Sequence, residues 1–308
     1  MKGPLFYAKI LLFGEYGIIK DSKGLAIPFN SYKGALKTAN NLTGEAKKSN
    51  ESLSRFFVYL QSIQSDIVTF DLDQLKKDIN AGMYFESSIP QGYGVGSSGA
   101  LVASIYDKYA INKITVLENL TRDKLLKLKT IFSLMESFFH GKSSGLDPLN
   151  SYLSLPILIN SKEHIEPAGI PSQKEGKGAV FLLDSEQVGE TEPMVNIFMN
   201  KMKNEGFRKM LSEEFVIHTD ACIDDFLKGN VKSLFGNVKK LSKVVLTNFK
   251  PMIPNAFHKV WEKGIQSNDY YLKLCGSGGG GYILGFTEDY EKAKKSLQDY
   301  KLEIVYRF

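Results

Sequence analysis

The segment PQGYGVGSSGALVAS, residues 90–104, restricts the fold of this chain more than any other stretch. Its four glycines and two adjacent serines lie between a proline and a run with helical spacing, so we predict a strand, a glycine-rich loop and then a helix. Glycine lets backbone N–H groups approach a ligand without a Cβ in the way, and a helix that begins at the loop adds the positive end of its dipole. The segment therefore predicts an anion site. A tight connection without a ligand is the alternative.

A phosphate chain suits such a loop, because one dipole contact contributes only about 0.3–1 kcal/mol at an exposed site and several aligned donors are needed. Gly94, Gly96 and Gly99 have the spacing of the dinucleotide fingerprint, but the segment after the predicted helix is polar and helical rather than a second strand. The loop lacks the Lys-Ser or Lys-Thr pair of a Walker motif, and the chain lacks the His-Arg-Asp and Asp-Phe-Gly strings of protein kinases. A second glycine run, GSGGGG at 276–281, lies between two apolar stretches.

The composition excludes several other classes of protein. The 308 residues are 43% hydrophobic and 24% charged, and the net charge of +5 is too small to predict nucleic-acid binding. No segment approaches the ~18 apolar residues that a membrane span requires. Two cysteines are too few for a disulfide framework or a tetrahedral zinc site. We therefore expect a cytoplasmic protein that binds neither nucleic acid nor a membrane.

The order of the predicted elements favours the α+β class. Strands and helices alternate with several hairpin-like neighbours, which favours an α+β sandwich over a doubly wound parallel sheet. A chain of this length is expected to form roughly two domains. The charged, glycine-containing stretch at 167–178 is the candidate boundary. We therefore predict domains at 1–170 and 171–308.

Four segments in a fixed order resemble the motifs of the GHMP small-molecule kinases: KILLFGEYGII, the glycine–serine segment, ESFFHGKSSGLD and GSGGGG. The family pattern Pro-x-x-x-Gly-Leu-Gly-Ser-Ser matches residues 90–98 with Val95 in place of leucine, and the string from Glu136 to Asp147 is similar to that of mevalonate kinases. The resemblance implies an N-terminal α/β sandwich domain and a C-terminal ferredoxin-like domain. It also implies transfer of phosphate from ATP to the primary hydroxyl of mevalonate, giving 5-phosphomevalonate and ADP in isoprenoid precursor synthesis.

The resemblance implies roles for individual residues. Asp147 would face the substrate hydroxyl, and Lys9 would pair with this carboxylate near the transferred phosphoryl group. Ser98 and Glu136 would be ligands of Mg²⁺, which takes an oxygen shell with few protein ligands and is the implied cofactor beside ATP as co-substrate. The implied contacts of the ATP phosphates are Pro90, Gly92, Tyr93, Gly94, Val95, Gly96, Ser97, Ser98, Gly276, Gly278 and Gly279.

The implied acceptor-binding residues are Glu15, Tyr16 and Thr191. Tyr16 stands where the family has histidine, and Gly189 stands where it usually has arginine. His140 is expected to be buried and structural, and a homodimer is implied only by the resemblance. The alternatives are another kinase of the family, acting on phosphomevalonate or homoserine, or a catalytically silent homologue that binds nucleotide. Only four arginines occur, none beside a motif, which favours an acceptor without a phosphate group.

Overall fold

The computed structural model describes residues 4–20, 22–63, 67–115, 120–161 and 163–308. Up to Leu155 its strands and helices are, in chain order, β1 (Phe6–Phe13), β2 (Gly24–Thr38), α1 (Gly44–Ser62), β3 (Thr69–Phe70), α2 (Leu72–Asn80), β4 (Met83–Ser87), α3 (Ser97–Tyr109), β5 (Ala110–Ile111), α4 (Arg122–His140) and α5 (Leu146–Leu153). No helix of these described ranges is long and apolar enough to span a bilayer.

The rest of the chain, from Pro156 onward, contains six further α-helices and six strands in its described part. Its elements are β6 (Ile157–Ser161), β7 (His164–Pro167), β8 (Ala179–Asp184), α6 (Thr191–Lys201), α7 (Glu205–Met210), α8 (Val216–Lys228), α9 (Val231–Asn248), α10 (His258–Ser267), β9 (Tyr271–Leu274), β10 (Tyr282–Thr287), α11 (Tyr290–Ser296) and β11 (Leu302–Arg307). A π-helical turn, Leu211–Phe215, joins α7 to α8. The mixed α and β content predicted from the sequence is confirmed.

Two larger sheets organise these elements. In the first sheet the strand order is β1-β2-β6-β7, and β4 pairs antiparallel with the C-terminal end of β2. In the second sheet the order is β11-β8-β10-β9, and every neighbouring pair is antiparallel. The strands and helices from β8 to β11 follow the order strand, helices, two strands, helix and strand, which is the element order of ferredoxin-like folds.

The chain divides into two compact units. Unit 1 comprises Met1–Lys9, Ile27–Gln91 and Gly96–Leu155, and unit 2 comprises Ile10–Ala26, Gly92–Val95 and Pro156–Phe308. This division differs from the single predicted boundary between residues 170 and 171. The reason is that β1, β2 and the first glycine-rich loop each pass from one unit into the other, which a linear change in composition does not reveal.

Aromatic packing fixes the helices that carry the motifs of unit 1. Tyr106 of α3 lies edge-on to Phe132 of α4 and to Tyr152 of α5, with ring centroids 5.0 and 5.2 Å apart. All three rings are buried. Edge-to-face contacts of this kind add about 0.5–1.5 kcal/mol beyond the burial of apolar area. These contacts therefore hold α3, α4 and α5 in a defined arrangement within unit 1.

Candidate functional site

An ion pair in unit 1 joins two residues that the sequence analysis singled out. Lys9 Nζ on β1 lies 2.9 Å from Asp147 Oδ1 in the first turn of α5. The lysine side chain is only 6% exposed, whereas the aspartate side chain is 36% exposed. A buried ammonium group is costly without a partner, so Asp147 stabilises Lys9 in this position. The carboxylate nevertheless remains open to a ligand.

Glycines allow the backbone to approach this ion pair closely. A Cβ on Gly145 would lie 2.2 Å from the carbonyl oxygen of Lys129, so α5 begins directly against the main chain of α4. A Cβ on Gly99 would lie 2.7 Å from the carbonyl carbon of Asp147, so the first turns of α3 and α5 are also in close contact. Gly96, the N-cap of α3, has a φ of +80° that favours glycine. Glycine is therefore required at these three positions, by close main-chain contact at Gly145 and Gly99 and by the backbone conformation at Gly96.

Glu136 is a buried carboxylate beside the start of α3. It is 3% exposed, Ser98 Oγ donates a hydrogen bond to its Oε1 at 3.0 Å, and Ser143 Oγ donates to its Oε2. Burial, and after it the negative charge of Asp147, raise the pKa of Glu136 to about 7 against the opposing effects of the serine hydrogen bonds and the charge of Lys9. Within the described residues no salt bridge neutralises this carboxylate. Its environment therefore favours the approach of a cation.

His140 contacts the same serine. Its Nε2 lies 3.0 Å from Ser98 Oγ, and its side chain is exposed at the end of α4. The prediction that His140 is buried is therefore wrong, because His140 is the last residue of α4 and is exposed at that end. The sequence does contain a signal for this contact: Glu136 and His140 are four residues apart, which places both on one face of a helix.

The first glycine-rich loop continues from unit 1 into unit 2. Gly92 and Gly94 have φ values of +73° and +76°, and the intervening Tyr93 places its ring 4.9 Å from that of Tyr282. Val95, which replaces the leucine of the family pattern, is fully buried. Pro90, the residue before this loop that is also predicted to contact phosphate, is half-buried, and Ser97 opens α3.

The two glycine-rich segments meet within unit 2, main chain against main chain. A Cβ on Gly94 would lie 2.6 Å from the carbonyl oxygen of Cys275, and a Cβ on Gly281 would lie 2.5 Å from the Cα of Tyr93. The N–H of Tyr282 also donates to the carbonyl oxygen of Tyr93 at 3.3 Å. Segments about 180 positions apart in the sequence therefore form one surface of glycine backbone.

The residues 276–281 form what we call the glycine turn. Gly276, Gly278 and Gly279 have φ values between +66° and +79°. The N–H of Gly279 donates to Met252 O at 2.7 Å, but the N–H groups of Ser277 and Gly278 find no acceptor in the part of the chain that the structure describes. Consecutive N–H groups in such a turn form a concave site for an anion.

The three predicted acceptor-binding residues also lie in unit 2. Glu15 is 6% exposed, and its Oε1 lies 2.5 Å from Nζ of Lys273, which is itself buried on β9. The hydroxyl of Tyr16 donates to Ser277 O at 2.7 Å. Thr191, the exposed first residue of α6, accepts a hydrogen bond from Ser277 Oγ at 3.4 Å. Tyr16 and Thr191 therefore both contact Ser277 in the glycine turn.

Lys273 is a residue of this region that the sequence analysis missed. It follows two tyrosines in a short apolar strand, so the local pattern gives no reason to expect a buried ion pair. Its partner is 258 positions away in the chain.

In the described part of the chain, no cluster of three or more His, Cys, Asp or Glu side chains suits a metal ion. A metal ion bound to the described residues would therefore need ligands other than these four side-chain types as well.

Part of the chain matches a known protein family. Residues 66–154 match the family model described as "GHMP kinases N terminal domain". That range contains Ser98, Glu136 and Asp147 together with the first glycine-rich loop. The resemblance inferred from the sequence motifs is therefore confirmed. A search of curated protein sequences returned no match.

Solved structures of three different kinases share the fold. L. major mevalonate kinase in complex with R-mevalonate has 15% identity and a TM-score of 0.65, with 97% of this chain and 94% of that chain covered. Streptococcus pneumoniae phosphomevalonate kinase in complex with phosphomevalonate and AMPPNP has 14% identity and a TM-score of 0.65, with 98% of each chain covered. Lactococcus lactis galactokinase complexed with galactose has 12% identity and a TM-score of 0.61, with 98% and 92% covered. Identities this low establish the fold alone.

Proposed function

We propose that this chain, whose residues 66–154 form a GHMP kinase N-terminal domain, transfers a phosphoryl group from ATP to the primary hydroxyl of mevalonate. The observation that carries this proposal is the Lys9–Asp147 ion pair beside the glycine-rich start of α3. In this pair the partly exposed carboxylate of Asp147 can bind an alcohol, and the buried ammonium group of Lys9 can stabilise a transferred phosphate. Both lie next to the N-terminus of α3, which also favours negative charge.

Phosphoryl transfer passes through a loose transition state, so the protein mainly positions the reactants and compensates charge. Asp147 would accept a hydrogen bond from the acceptor hydroxyl and orient its oxygen toward the γ-phosphorus. A carboxylate is too weak a base to deprotonate an alcohol in the ground state, so Asp147 would receive the proton as the new oxygen–phosphorus bond forms. Lys9 would hold Asp147 in place and stabilise the negative oxygens of the transferred group.

Ser98 and Glu136 fit a magnesium ion. Both offer oxygen atoms, which magnesium prefers, and Glu136 is a buried carboxylate with no salt bridge in the described ranges. Magnesium commonly takes one or two protein ligands and completes its shell with phosphate and water, so two side chains suffice. When bound, the ion would neutralise charge on the phosphate oxygens.

The backbone of the glycine-rich segments would supply the remaining phosphate contacts. In residues 92–96 every second residue is a glycine with positive φ, and the glycine turn has N–H groups without acceptors in the described chain. The N-terminus of α3 at Ser97 adds the positive end of a helix dipole. These donors support the assignment of the triphosphate to the two glycine-rich segments.

Mevalonate is the proposed acceptor because the string from Glu136 to Asp147 is similar to that of mevalonate kinases. A phosphorylated acceptor would require additional cationic side chains. Of the four arginines, Arg208 donates to backbone carbonyl groups and Arg307 lies over the ring of Tyr290. Neither of these two is directed at a motif residue.

The direct test is release of ADP by the purified protein with Mg-ATP and a panel of acceptors: the alcohols mevalonate, homoserine and galactose, and phosphomevalonate, whose phosphate group would be the acceptor. We expect turnover with mevalonate, and we expect Asp147→Asn to lower kcat by about 10²–10⁴-fold because the hydroxyl loses its proton acceptor. Asp123→Asn is the matched control, since Asp123 is an exposed carboxylate in the first turn of α4. Its kcat should equal that of the wild type.

Each other outcome changes a different part of the proposal. Turnover with another member of the panel would replace mevalonate as the acceptor and keep phosphoryl transfer from ATP. An unchanged kcat in Asp147→Asn would remove Asp147 from the reaction. ATP binding without turnover on any acceptor would identify a catalytically silent protein.

A further inference from the structure

Tyr16 has an unusual backbone conformation in the turn that follows β1. Its φ is +60°, a region that bulky side chains rarely occupy, and the residue is only 8% exposed. Such a conformation persists only where the surroundings hold it in place. The position of this side chain is therefore imposed by its contacts.

Aromatic residues fix the ring of Tyr16. The ring centroid lies 4.6 Å from that of Phe198 on α6 and 6.1 Å from that of Phe249, the residue after α9. Both phenylalanines are fully buried. The ring cannot rotate away without opening this cluster, so its hydroxyl has a defined direction.

That hydroxyl donates to Ser277 O at 2.7 Å, in the glycine turn. Burial raises the pKa of Tyr16 well above its usual value, and the charge of Glu15 raises it further, so the phenol keeps its proton at physiological pH. The phenolic O–H therefore donates its hydrogen bond to a backbone carbonyl group. An acceptor alcohol could accept a hydrogen bond from Tyr16 only if the bond to Ser277 O were broken.

The hydrogen bond also sets the direction of a neighbouring N–H group. The carbonyl of Ser277 and the N–H of Gly278 belong to one planar peptide unit, which is trans, so they point in opposite directions. Holding the carbonyl oxygen on Tyr16 therefore aims the N–H of Gly278 away from Tyr16. This N–H has no acceptor in the described chain.

A turn so rich in glycine needs restraints from outside. Glycine populates many backbone conformations, and residues 276–281 include five glycines. The backbone bonds of Gly279 to Met252 O and of Gly281 to Gln187 O restrain its second half. Tyr16 restrains the first half, at the peptide that joins Ser277 to Gly278.

We propose that Tyr16 is a positioning residue that orients the peptide of Ser277 and Gly278 for binding of the ATP phosphates, rather than a contact of the acceptor alcohol. This assignment rests on the proposed function, because it takes the glycine turn as a phosphate site. It also revises the role that the family resemblance implied for Tyr16. Phosphate affinity, and not acceptor affinity, should depend on the hydroxyl.

Tyr16→Phe tests the assignment because it keeps the ring and removes only the hydroxyl. Tyr306→Phe is the matched control: Tyr306 is also buried in unit 2, and its hydroxyl donates to Pro171 O at the same 2.7 Å. We expect the Kd of Mg-ATP, measured by calorimetry without acceptor, to rise about 3- to 10-fold in Tyr16→Phe, as for the loss of one hydrogen bond. The Kd in Tyr306→Phe and the KM for the acceptor in both variants should stay at the wild-type values.

A second measurement covers the case in which Tyr16→Phe is destabilised. Hydrogen exchange at the amide of Gly279, which donates to Met252 O in the same turn, should accelerate in Tyr16→Phe but not in Tyr306→Phe, since only the former frees the turn. An unchanged Kd with a raised acceptor KM in Tyr16→Phe would overturn the assignment. So would equal losses of ATP affinity in the two variants. If the wild type does not bind Mg-ATP at all, the proposed function itself fails, and this assignment fails with it.

Discussion

At the scale of single residues, Glu136 is a carboxyl group that is buried without a salt bridge in the described chain. Burial, with the charge of Asp147, raises the pKa of Glu136 to about 7, so the ionised carboxylate costs free energy at this position. Within the described chain no salt bridge offsets this cost. A magnesium ion would remove this cost. The affinity for magnesium should therefore depend on the charge of this one residue.

Glu136→Gln should abolish the magnesium-dependent part of the stabilisation by ATP. A ligand at 100 times its Kd raises the free energy of unfolding by about 2.7 kcal/mol, so Mg-ATP should raise the Tm of the wild type measurably above that with ATP and EDTA. In Glu136→Gln the two Tm values should coincide. Glu51→Gln, at an exposed position of α1, serves as the control and should behave as the wild type. A retained magnesium-dependent shift in Glu136→Gln would exclude Glu136 as a ligand.

The sequence predicted some residue contacts and missed others. The family resemblance implied that Lys9 and Asp147 pair, and the two residues do form an ion pair. The contact of His140 with Ser98 and the pair of Glu15 with Lys273 were not predicted. The Glu15–Lys273 pair depends on which elements the tertiary fold brings together, and no local pattern contains that information. For His140 the sequence did contain a signal, its four-residue spacing from Glu136.

At the scale of elements, the seating of α5 on α4 determines where Asp147 lies. Gly145 has φ +74° and ψ 3°, and its missing Cβ allows contact with the main chain of Lys129. Gly229, the C-cap of α8, has a similar backbone with φ +70° and ψ 22°, but a Cβ there would meet only Pro171 Cγ at 4.0 Å. These two glycines separate the effect of backbone conformation from that of close packing.

Gly145→Ala should therefore be far more harmful than Gly229→Ala. Both variants carry the cost of a left-handed alanine, about 1–2 kcal/mol. Gly145→Ala also forces α5 away from α4, which should cost a further 1–3 kcal/mol, roughly the value for overpacking, and displace Asp147. Urea unfolding should show this difference, and kcat should fall only in Gly145→Ala. Equal losses in both variants would mean that the contact with Lys129 is not needed.

Local residue preferences account for helix boundaries better than for strand lengths. Thr121 caps α4 by accepting a hydrogen bond from the N–H of Lys124 at 3.4 Å, and α4 stops at Gly141, both in line with capping preferences. By contrast, β2 extends over fifteen residues, well beyond the apolar run GLAIPF at its start. Its second half is polar and becomes a strand through pairing with β4. Such pairing is a tertiary effect and leaves no mark on the local sequence.

At the scale of the whole molecule, stability depends on pH through carboxylates whose pKa changes on folding. Asp78 of α2 accepts hydrogen bonds from Tyr109 and Lys108 of α3 and from Gln74. Burial alone would raise the pKa of Asp78, but these hydrogen bonds, first that of Lys108, outweigh burial and hold the pKa below its usual value. A depressed pKa means that folding favours the ionised form. The stabilisation is therefore present above the unfolded pKa, near 3.9, and is lost as the pH falls through the lower folded value.

Asp78→Asn should lower the free energy of unfolding at pH 7 by about 1 kcal/mol, a small value because solvent screens a partly exposed pair. The difference from the wild type should shrink as the pH falls below about 4, where the native carboxylate becomes protonated. Thermal unfolding at a series of pH values measures this. Asp299→Asn, at an exposed turn position, should show no such trend. A difference that is constant with pH would show that the charge of Asp78 does not contribute.

At the same scale, the two compact units are not continuous in the sequence. A change in composition near residue 170 suggested one boundary, whereas unit 2 also takes up Ile10–Ala26 and Gly92–Val95. These short segments join unit 2 through contacts with residues far along the chain, such as Gly92 with Gly189. Composition reports on neighbours in sequence, so it cannot reveal segments that fold with a distant partner.

A Cβ added to Gly94 or Gly281 would meet main-chain atoms of Cys275 and Tyr93. Main-chain atoms are common to every amino acid, so a surface made from them tolerates wide evolutionary drift elsewhere. Solved chains with only 12–15% identity to this one share its fold. Searches for distant homologues of this chain should accordingly give most weight to positions where any Cβ would collide.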